Sequence, residues 1–197
     1  MLRGVTSIYD PFAGTGKIML LKHWLPDARI YGGELEREWA AQTRGIIIAD
    51  ALRLPFADAA FAAIATSPAY GNRMADHHEA QDASKRITYR HCLGRPLSAH
   101  NAGGLQWGDA YRAFHRAAWR EVTRVLASNG RFVLNCKNHY RGGQLMRVTE
   151  FHLETLCDLG LRVREWHLEF CPGMRFGAHS GERVEHEDVI LLVKEDE

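Results

Sequence analysis

The stretch GVTSIYDPFAGTGKIMLLKHWLPDARIYGGE, running from Gly4 to Glu34, decides the fold. GVTSIYD is a short apolar run of the kind that makes a buried strand, GTGKIMLLKHWL carries helical spacing, and ARIYGGE reads as a second strand. Strand, helix, strand is a β-α-β unit, whose two strands are expected to lie parallel with a right-handed crossover. Gly14 and Gly16 stand where the first strand gives way to the helix. Glycine there lets backbone approach a ligand closely, and the helix N-terminus beyond it offers free N–H groups.

The alternation continues along the chain. EREWAAQTR (36–44) reads as a helix, GIIIAD (45–50) and FAAIATS (61–67) as strands. DAYRAFHRAAWREVTRVL (109–126) reads as a long helix with Phe114, Ala118, Val122, Val125 and Leu126 on one face. SNG marks a turn before the strand RFVLNC (131–136), and GGQLMRVTEFHLETLCDLG (142–160) reads as a helix closed by Gly160. LRVREWHLEF (161–170) and DVILLVK (188–194) have no helix between them, so an antiparallel hairpin at one sheet edge is expected. The expected fold is α/β, a doubly wound, mostly parallel sheet with a terminal antiparallel hairpin, in a single domain over residues 1–197. Such sheets bind ligands beyond the C-terminal ends of their strands, near the switch in strand order. Residues 71–107 break the rhythm and exceed an ordinary connector, which suits a lid, a binding insert or a disordered loop.

Composition narrows the class. At 197 residues and 46% hydrophobic, the chain has material for one real core and is neither disordered nor membrane-like. No apolar run approaches the roughly 20 residues that span a bilayer, and MLRGVTSIYDPFAG lacks the apolar core of a secretory leader. A cytoplasmic protein with no membrane partner is expected. The net charge of +1 neither demands nor excludes nucleic acid, because a basic patch can hide in a neutral total. Cys92, Cys136, Cys157 and Cys171 are widely spaced with no C-x-x-C pair, so disulfides or a zinc site are not expected; Cys136 in a strand and Cys157 in a helix read as buried free thiols.

DPFAGTGKI (10–18) admits three readings. A phosphate-binding Walker loop needs Gly at 11 and Ser or Thr at 18, where this chain has Pro11 and Ile18. A dinucleotide fingerprint wants a third glycine at 19, where Met19 stands. A two-glycine turn preceded by an acid, Asp10, fits a loop for S-adenosylmethionine. Glu34 ends the next strand 18 residues after Gly16, where an acid can accept from both ribose hydroxyls. Its neighbour Glu36 is expected in the following helix as an early-turn charge. Asp50-Ala51 ends the third strand; Asp50 can accept from an adenine amino group, or serve as a loop acid or helix cap. The fourth strand ends in TSPAYGN (66–72), a hydroxyl, a proline and an aromatic ring that turn chemistry alone would also permit.

With those motifs side by side, the chain resembles the DNA amino-methyltransferases, which methylate exocyclic nitrogens of cytosine or adenine. DPFAGTG is similar to their cofactor motif, and SPAY to their Asp/Asn/Ser-Pro-Pro-aromatic motif, with Ala69 in place of the second proline. The likeness is specific over residues 8–72 and looser beyond. It implies a class I methyltransferase, Rossmann-like fold and S-adenosylmethionine as cofactor, with S-adenosylhomocysteine as product. Asp10, Phe12, Gly14, Gly16, Glu34, Asp50 and Ala51 would bind cofactor, and Ser67, Pro68 and Tyr70 would handle the substrate base. Ser at the first motif position is similar to the N4-cytosine group, which ranks that base slightly ahead of N6 of adenine. An exocyclic amine is a poor nucleophile, so acceptors at Ser67 Oγ and the Pro68 carbonyl would favour a pyramidal nitrogen, while Tyr70 would stack on a flipped base.

DNA is the expected partner, and Arg73, Lys85, Arg86, Arg90 and Arg95 of the 71–107 insert are its expected contacts, with Tyr89 or Trp107 supplying aromatic surface. The family usually covers the methionine end of its cofactor with a further element; only nine residues precede Asp10 here, which makes a homodimer plausible. His77-His78 with Glu79 and Asp82 matches no metal geometry, so no metal is expected. PGMRFGAHSGER (172–183) reads either as a substrate-backbone loop or as a hairpin turn. Transfer-RNA guanine-N2 methyltransferases carry similar motifs and stand as the alternative, beside a cofactor-binding module without turnover.

Overall fold

Among the described residues, seven strands form one sheet in the order β3-β2-β1-β4-β5-β9-β8. In the computed structural model, which describes residues 1–75, 88–171 and 183–196, these are β1 (Ser7–Asp10), β2 (Arg29–Glu34), β3 (Ile46–Ile48), β4 (Phe61–Thr66), β5 (Leu126–Cys136), β8 (Leu161–Phe170) and β9 (His186–Lys194). β1 to β5 run parallel, and β9 lies antiparallel between β5 and β8. The terminal hairpin is therefore present, with β9 inserted inward and β8 as the edge. The strand order reverses between β1 and β4, so their C-terminal ends open the crevice where such sheets take ligands.

The helices are α1 (Arg37–Ala40), α2 (Tyr89–Leu93), α3 (Asp109–Val125) and α4 (Val148–Asp158). α3 covers one face with Tyr111, His115, Ala118, Trp119, Val122 and Val125, all buried. Trp119, Val122 and Val125 pack with Ile64, Phe132, Leu134, Leu156, Ile190 and Leu192 into the main core, while Tyr111 joins Val148 and Phe151 in a separate cluster. The opposite face packs Ile8, Ile30, Ala63 and Ala65 against Ile18, Met19, Leu21 and Leu25.

Four local expectations are corrected. The helix expected over 14–25 is a 3-10 turn, Lys17–His23, with no residue buried; Gly16 at φ 88 enters it in the left-handed region. The helix expected over 36–44 shrinks to α1. The helix expected from Gly142 begins only at Val148, because Gly142 and Gly143, at φ 57 and 74, make a two-residue turn joining β6 (His139–Arg141) to β7 (Gln144–Met146). SNG lies inside β5, where Asn129 takes φ 56 and the register with β4 jumps from Phe61↔Leu126 to Ala63↔Arg131.

Candidate functional site

Two turns leave the sheet side by side at the switch point, one after β1 and one after β4. Asp10, buried at the end of β1, joins them: its Oδ1 accepts from Phe12 N–H at 2.9 Å and from the Thr66 hydroxyl at 2.6 Å. Burial pushes its carboxyl up to about 6, against the lowering effect of those two bonds. Gly14 at φ 53 and Gly16 at φ 88 need the left-handed region that glycine occupies freely. A Cβ on Gly16 would also lie 2.6 Å from Thr43 Cβ.

Glu34 ends β2 facing this loop. Its Oε2 accepts from Gly14 N–H at 3.0 Å and its Oε1 from Glu36 N–H at 2.8 Å. Burial raises its carboxyl, and the backbone donors partly offset that. Asp50 follows β3; Oδ1 accepts from Leu52 N–H at 2.8 Å and Oδ2 lies 3.3 Å from His100 Nδ1. Phe12, Glu34, Ala51, His100, Asn101 and Phe114 line one crevice, so residues expected at the cofactor share a wall with the 71–107 segment.

Glu36 is not an early-turn charge. It is fully buried at the start of α1 and anchors the segment that forms that wall. Oε1 accepts from Ser98 N–H at 2.7 Å and Asn101 Nδ2 at 2.9 Å; Oε2 accepts from Arg95 Nη2 at 2.8 Å and Ser98 Oγ at 3.1 Å. Burial alone would raise this carboxyl, yet the donors outweigh it and hold it below its ordinary value. Arg95 also binds Glu38 at 2.7 Å, so its guanidinium is committed to two carboxylates rather than offered to a phosphate.

After β4, Ser67 is exposed, Pro68 buried and Tyr70 half-buried, its ring packed on the main core. Ser67 Oγ and Tyr70 OH are 2.9 Å apart. Burial raises the Tyr70 phenol, with the Ser67 bond opposing it. Gly71, at φ 62, accepts from Trp107 N–H at 2.8 Å, and a Cβ there would stand 2.7 Å from that nitrogen. Trp107 itself packs on Tyr111 and Phe151 beneath the Arg112 guanidinium.

Of the expected substrate contacts, Arg73 begins a 3-10 turn, Arg73–Ala75, and Arg90 lies on α2, lining a cavity of about 190 Å3 with Met74, Leu97 and Leu105. Lys85 and Arg86 fall outside the described residues, as do His77, His78 and most of PGMRFGAHSGER. Among the described residues no cluster of His, Cys, Asp or Glu is arranged to hold a metal ion, and no helix is long and apolar enough to cross a membrane.

Sequence reasoning missed Glu36, Asn101, Tyr111 and His152. Glu36 finds its side-chain partners 59 to 65 residues away, which no local pattern encodes. Tyr111 carried a signal: a polar-tipped ring on the apolar stripe of α3 must find a partner inside.

No family model matches the chain, and no curated protein does. Solved structures match in fold. TrmN from Thermus thermophilus is similar over 96% of this chain at 17% identity and a TM-score of 0.58, and the chain spans 44% of its length. A SAM-dependent methyltransferase from Methanosarcina mazei is similar over 97% of this chain and 93% of its own, at 14% identity and a TM-score of 0.58. The 4+2 cyclase SpnF is similar over 100% of this chain and 78% of its own, at 14% identity and a TM-score of 0.59. The chain has the Rossmann-like fold of the class I methyltransferases. That fold hosts more than one reaction, so function rests on the site.

Proposed function

We propose that the crevice binds S-adenosylmethionine and that the Ser67–Tyr70 turn presents an exocyclic amino group of a DNA base for methylation, N4 of cytosine ahead of N6 of adenine. The observation that carries this reading is the Thr66–Asp10 hydrogen bond, which ties the SPAY turn directly to the glycine turn. The residues suit the cofactor: two left-handed glycines remove side chains from the loop, and Glu34 ends the adjoining strand with a carboxylate aimed at Gly14.

S-adenosylmethionine supplies a methyl group already activated by sulfonium charge. The chain's work is then orientation, which alone can lower a barrier by about 7–11 kcal/mol. Glu34 would accept from the ribose hydroxyls and Asp50 from the adenine amine. Ser67 Oγ, sharing with Tyr70 OH a hydrogen bond in which either hydroxyl can donate, would keep a lone pair for one substrate N–H, and the Pro68 carbonyl would take the other. The amine so held would turn its lone pair to the methyl carbon, the N–C bond forming as the C–S bond breaks to leave S-adenosylhomocysteine, and the methylated nitrogen would release one proton to water. Arg73 and Arg90, with Lys85 and Arg86, contact backbone phosphate.

Nucleoside mass spectrometry of DNA from a methylation-free bacterium expressing the chain, beside a Ser67→Ala control, tests this. N4-methylcytosine or N6-methyladenine rising only with the intact chain is expected, with cofactor binding kept in the variant. Unchanged methylation in Ser67→Ala sinks the catalytic role. Neither base rising, while S-adenosylmethionine still raises the melting temperature, moves the substrate to RNA or the protein to a module without turnover.

A further inference from the structure

Behind the SPAY turn lies a chain of buried hydrogen bonds that neither the cofactor nor the methyl transfer uses. Trp119 Nε1 donates to His152 Nδ1 at 2.9 Å, His152 Nε2 lies 2.9 Å from Tyr111 OH, and Tyr111 OH donates to the Ala69 carbonyl at 2.6 Å. Trp119, Tyr111 and His152 are each fully buried. The links cross from α3 to α4 and back before reaching the turn.

Donor and acceptor roles follow from the first link. An indole nitrogen only donates, so His152 Nδ1 holds a lone pair. Burial, followed by the neighbouring His115, keeps His152 neutral, so its one proton sits on Nε2. Nε2–H then donates to the Tyr111 oxygen, and the phenol proton is left one direction to point, at Ala69. His115 stands beside Tyr111 with Nδ1 on the Tyr111 carbonyl at 2.9 Å, and its Nε2 has no hydrogen-bond partner among the described residues, so neither nitrogen competes for that proton.

We propose that Tyr111 and His152 are positioning residues that fix the Ser67–Tyr70 turn through the Ala69 carbonyl, an inference that rests on the proposed function for its catalytic consequence. The turn needs such a hold. Pro68 has its φ locked by its ring, whereas Ala69 has no such restraint. Tyr111 fixes the Ala69 peptide on one side of Tyr70, and Trp107 N–H fixes Gly71 on the other. Loss of the Tyr111 bond frees the Ala69–Tyr70 peptide to rotate, and with it the Pro68 carbonyl and the Ser67–Tyr70 contact. A misplacement of about 1 Å at reacting atoms can cost on the order of a hundredfold in rate.

Tyr111→Phe removes the hydroxyl and keeps the ring. Carbonyl-13C alanine with amide-15N tyrosine marks two Ala–Tyr steps, Ala69-Tyr70 and Ala110-Tyr111, and the substitution leaves only the first. The Ala69 carbonyl resonance is expected to move upfield as its donor goes, with kcat for methyl transfer falling about tenfold or more. The dissociation constant for S-adenosylhomocysteine is expected to stay within about twofold of wild type. An unmoved carbonyl overturns the bond, and a moved carbonyl with unchanged kcat overturns the positioning role. A kcat loss matched by equal loss of cofactor affinity also overturns it, since the lesion is then structural. If the wild-type chain transfers no methyl at all, the proposed function fails, while the carbonyl shift still decides whether the clamp exists.

Discussion

Glu36→Gln is the sharpest test of how the crevice is walled. Glutamine keeps one carbonyl oxygen, enough to accept from Ser98 N–H and Asn101 Nδ2 as Oε1 does now. Its amide nitrogen replaces Oε2 and meets Arg95 Nη2 donor to donor, while the Ser98 hydroxyl can rotate to accept. One charge-assisted bond is lost, which in general is worth about 1.5–3 kcal/mol. Arg95 retains Glu38, so a net cost of about 1–2 kcal/mol is expected. Glu36→Ala strips all four bonds, but Ser98 is exposed and Arg95 and Asn101 are only half-buried, so water recovers part of the loss and a cost of about 2–3 kcal/mol is expected. Because the latch holds a segment onto the sheet, release of that segment limits how much of this a global urea melt registers. Amide exchange at Ser98 and Gly103 reads it directly. The sign with pH is fixed: the folded carboxyl sits below its ordinary 4.5, so its contribution is present above that value and fades as pH falls through the depressed one. The gap between wild type and Glu36→Gln must therefore narrow as pH falls below 4.5. Exchange at Ser98 unchanged in Glu36→Gln, or a gap independent of pH, would refute the latch.

Asp10→Asn should stabilise the protein near neutral pH, because asparagine can accept from Phe12 and Thr66 without a buried charge. The wild-type carboxyl rises from 3.8 to about 6 on folding, so stability is full below the lower value and falls by up to about 3 kcal/mol as pH climbs through the higher one. Urea melts across that window should slope for wild type and lie flat for Asp10→Asn; parallel curves would count against it. Tyr9→Phe should raise stability by about 1–2 kcal/mol, since the Tyr9 hydroxyl is buried with no hydrogen-bond partner among the described residues. A lower melting temperature in that variant would show that the hydroxyl is satisfied after all.

The architecture was legible because its signals are local. Alternation of short apolar runs with amphipathic stretches gave the parallel sheet, and the absence of a helix after Phe170 gave the antiparallel pair. The glycines and the acids at Asp10, Glu34 and Asp50 are strand-end features, visible once the strands are drawn. What failed was of two kinds. Helical spacing over Lys17–His23 and Gly142–Arg147 competed with local backbone chemistry, and the chemistry won: left-handed Gly16 in one case, the Gly142-Gly143 turn in the other. The second kind is non-local. Glu36 was assigned by its helix position, yet Ser98 and Asn101 decide what it does, and nothing near residue 36 announces them. Tyr9 and Gly33 are a similar pair, since a Cβ on Gly33 would stand 2.1 Å from the Tyr9 hydroxyl.

These networks bear on where selectivity resides. The glycine turn and the SPAY turn are tied to each other through Asp10 and Thr66, and each is held from its far side by a separate set of bonds. Glu36 fastens the outer wall of one, and Tyr111 and Trp107 back the other. A crevice braced on both sides has little freedom to adapt to different polymers, and at the reacting atoms an exocyclic amine looks much the same in DNA and RNA. Discrimination between them depends on sugar and backbone contacts remote from the amine. On the proposed function those contacts fall to the 71–107 insert, the one stretch of the chain without the sheet's alternation. The crevice would then set the chemistry and the insert the polymer, which is why Ser67→Ala and substitutions at Arg73 or Arg90 should separate: the first in turnover, the second in substrate affinity and its salt dependence.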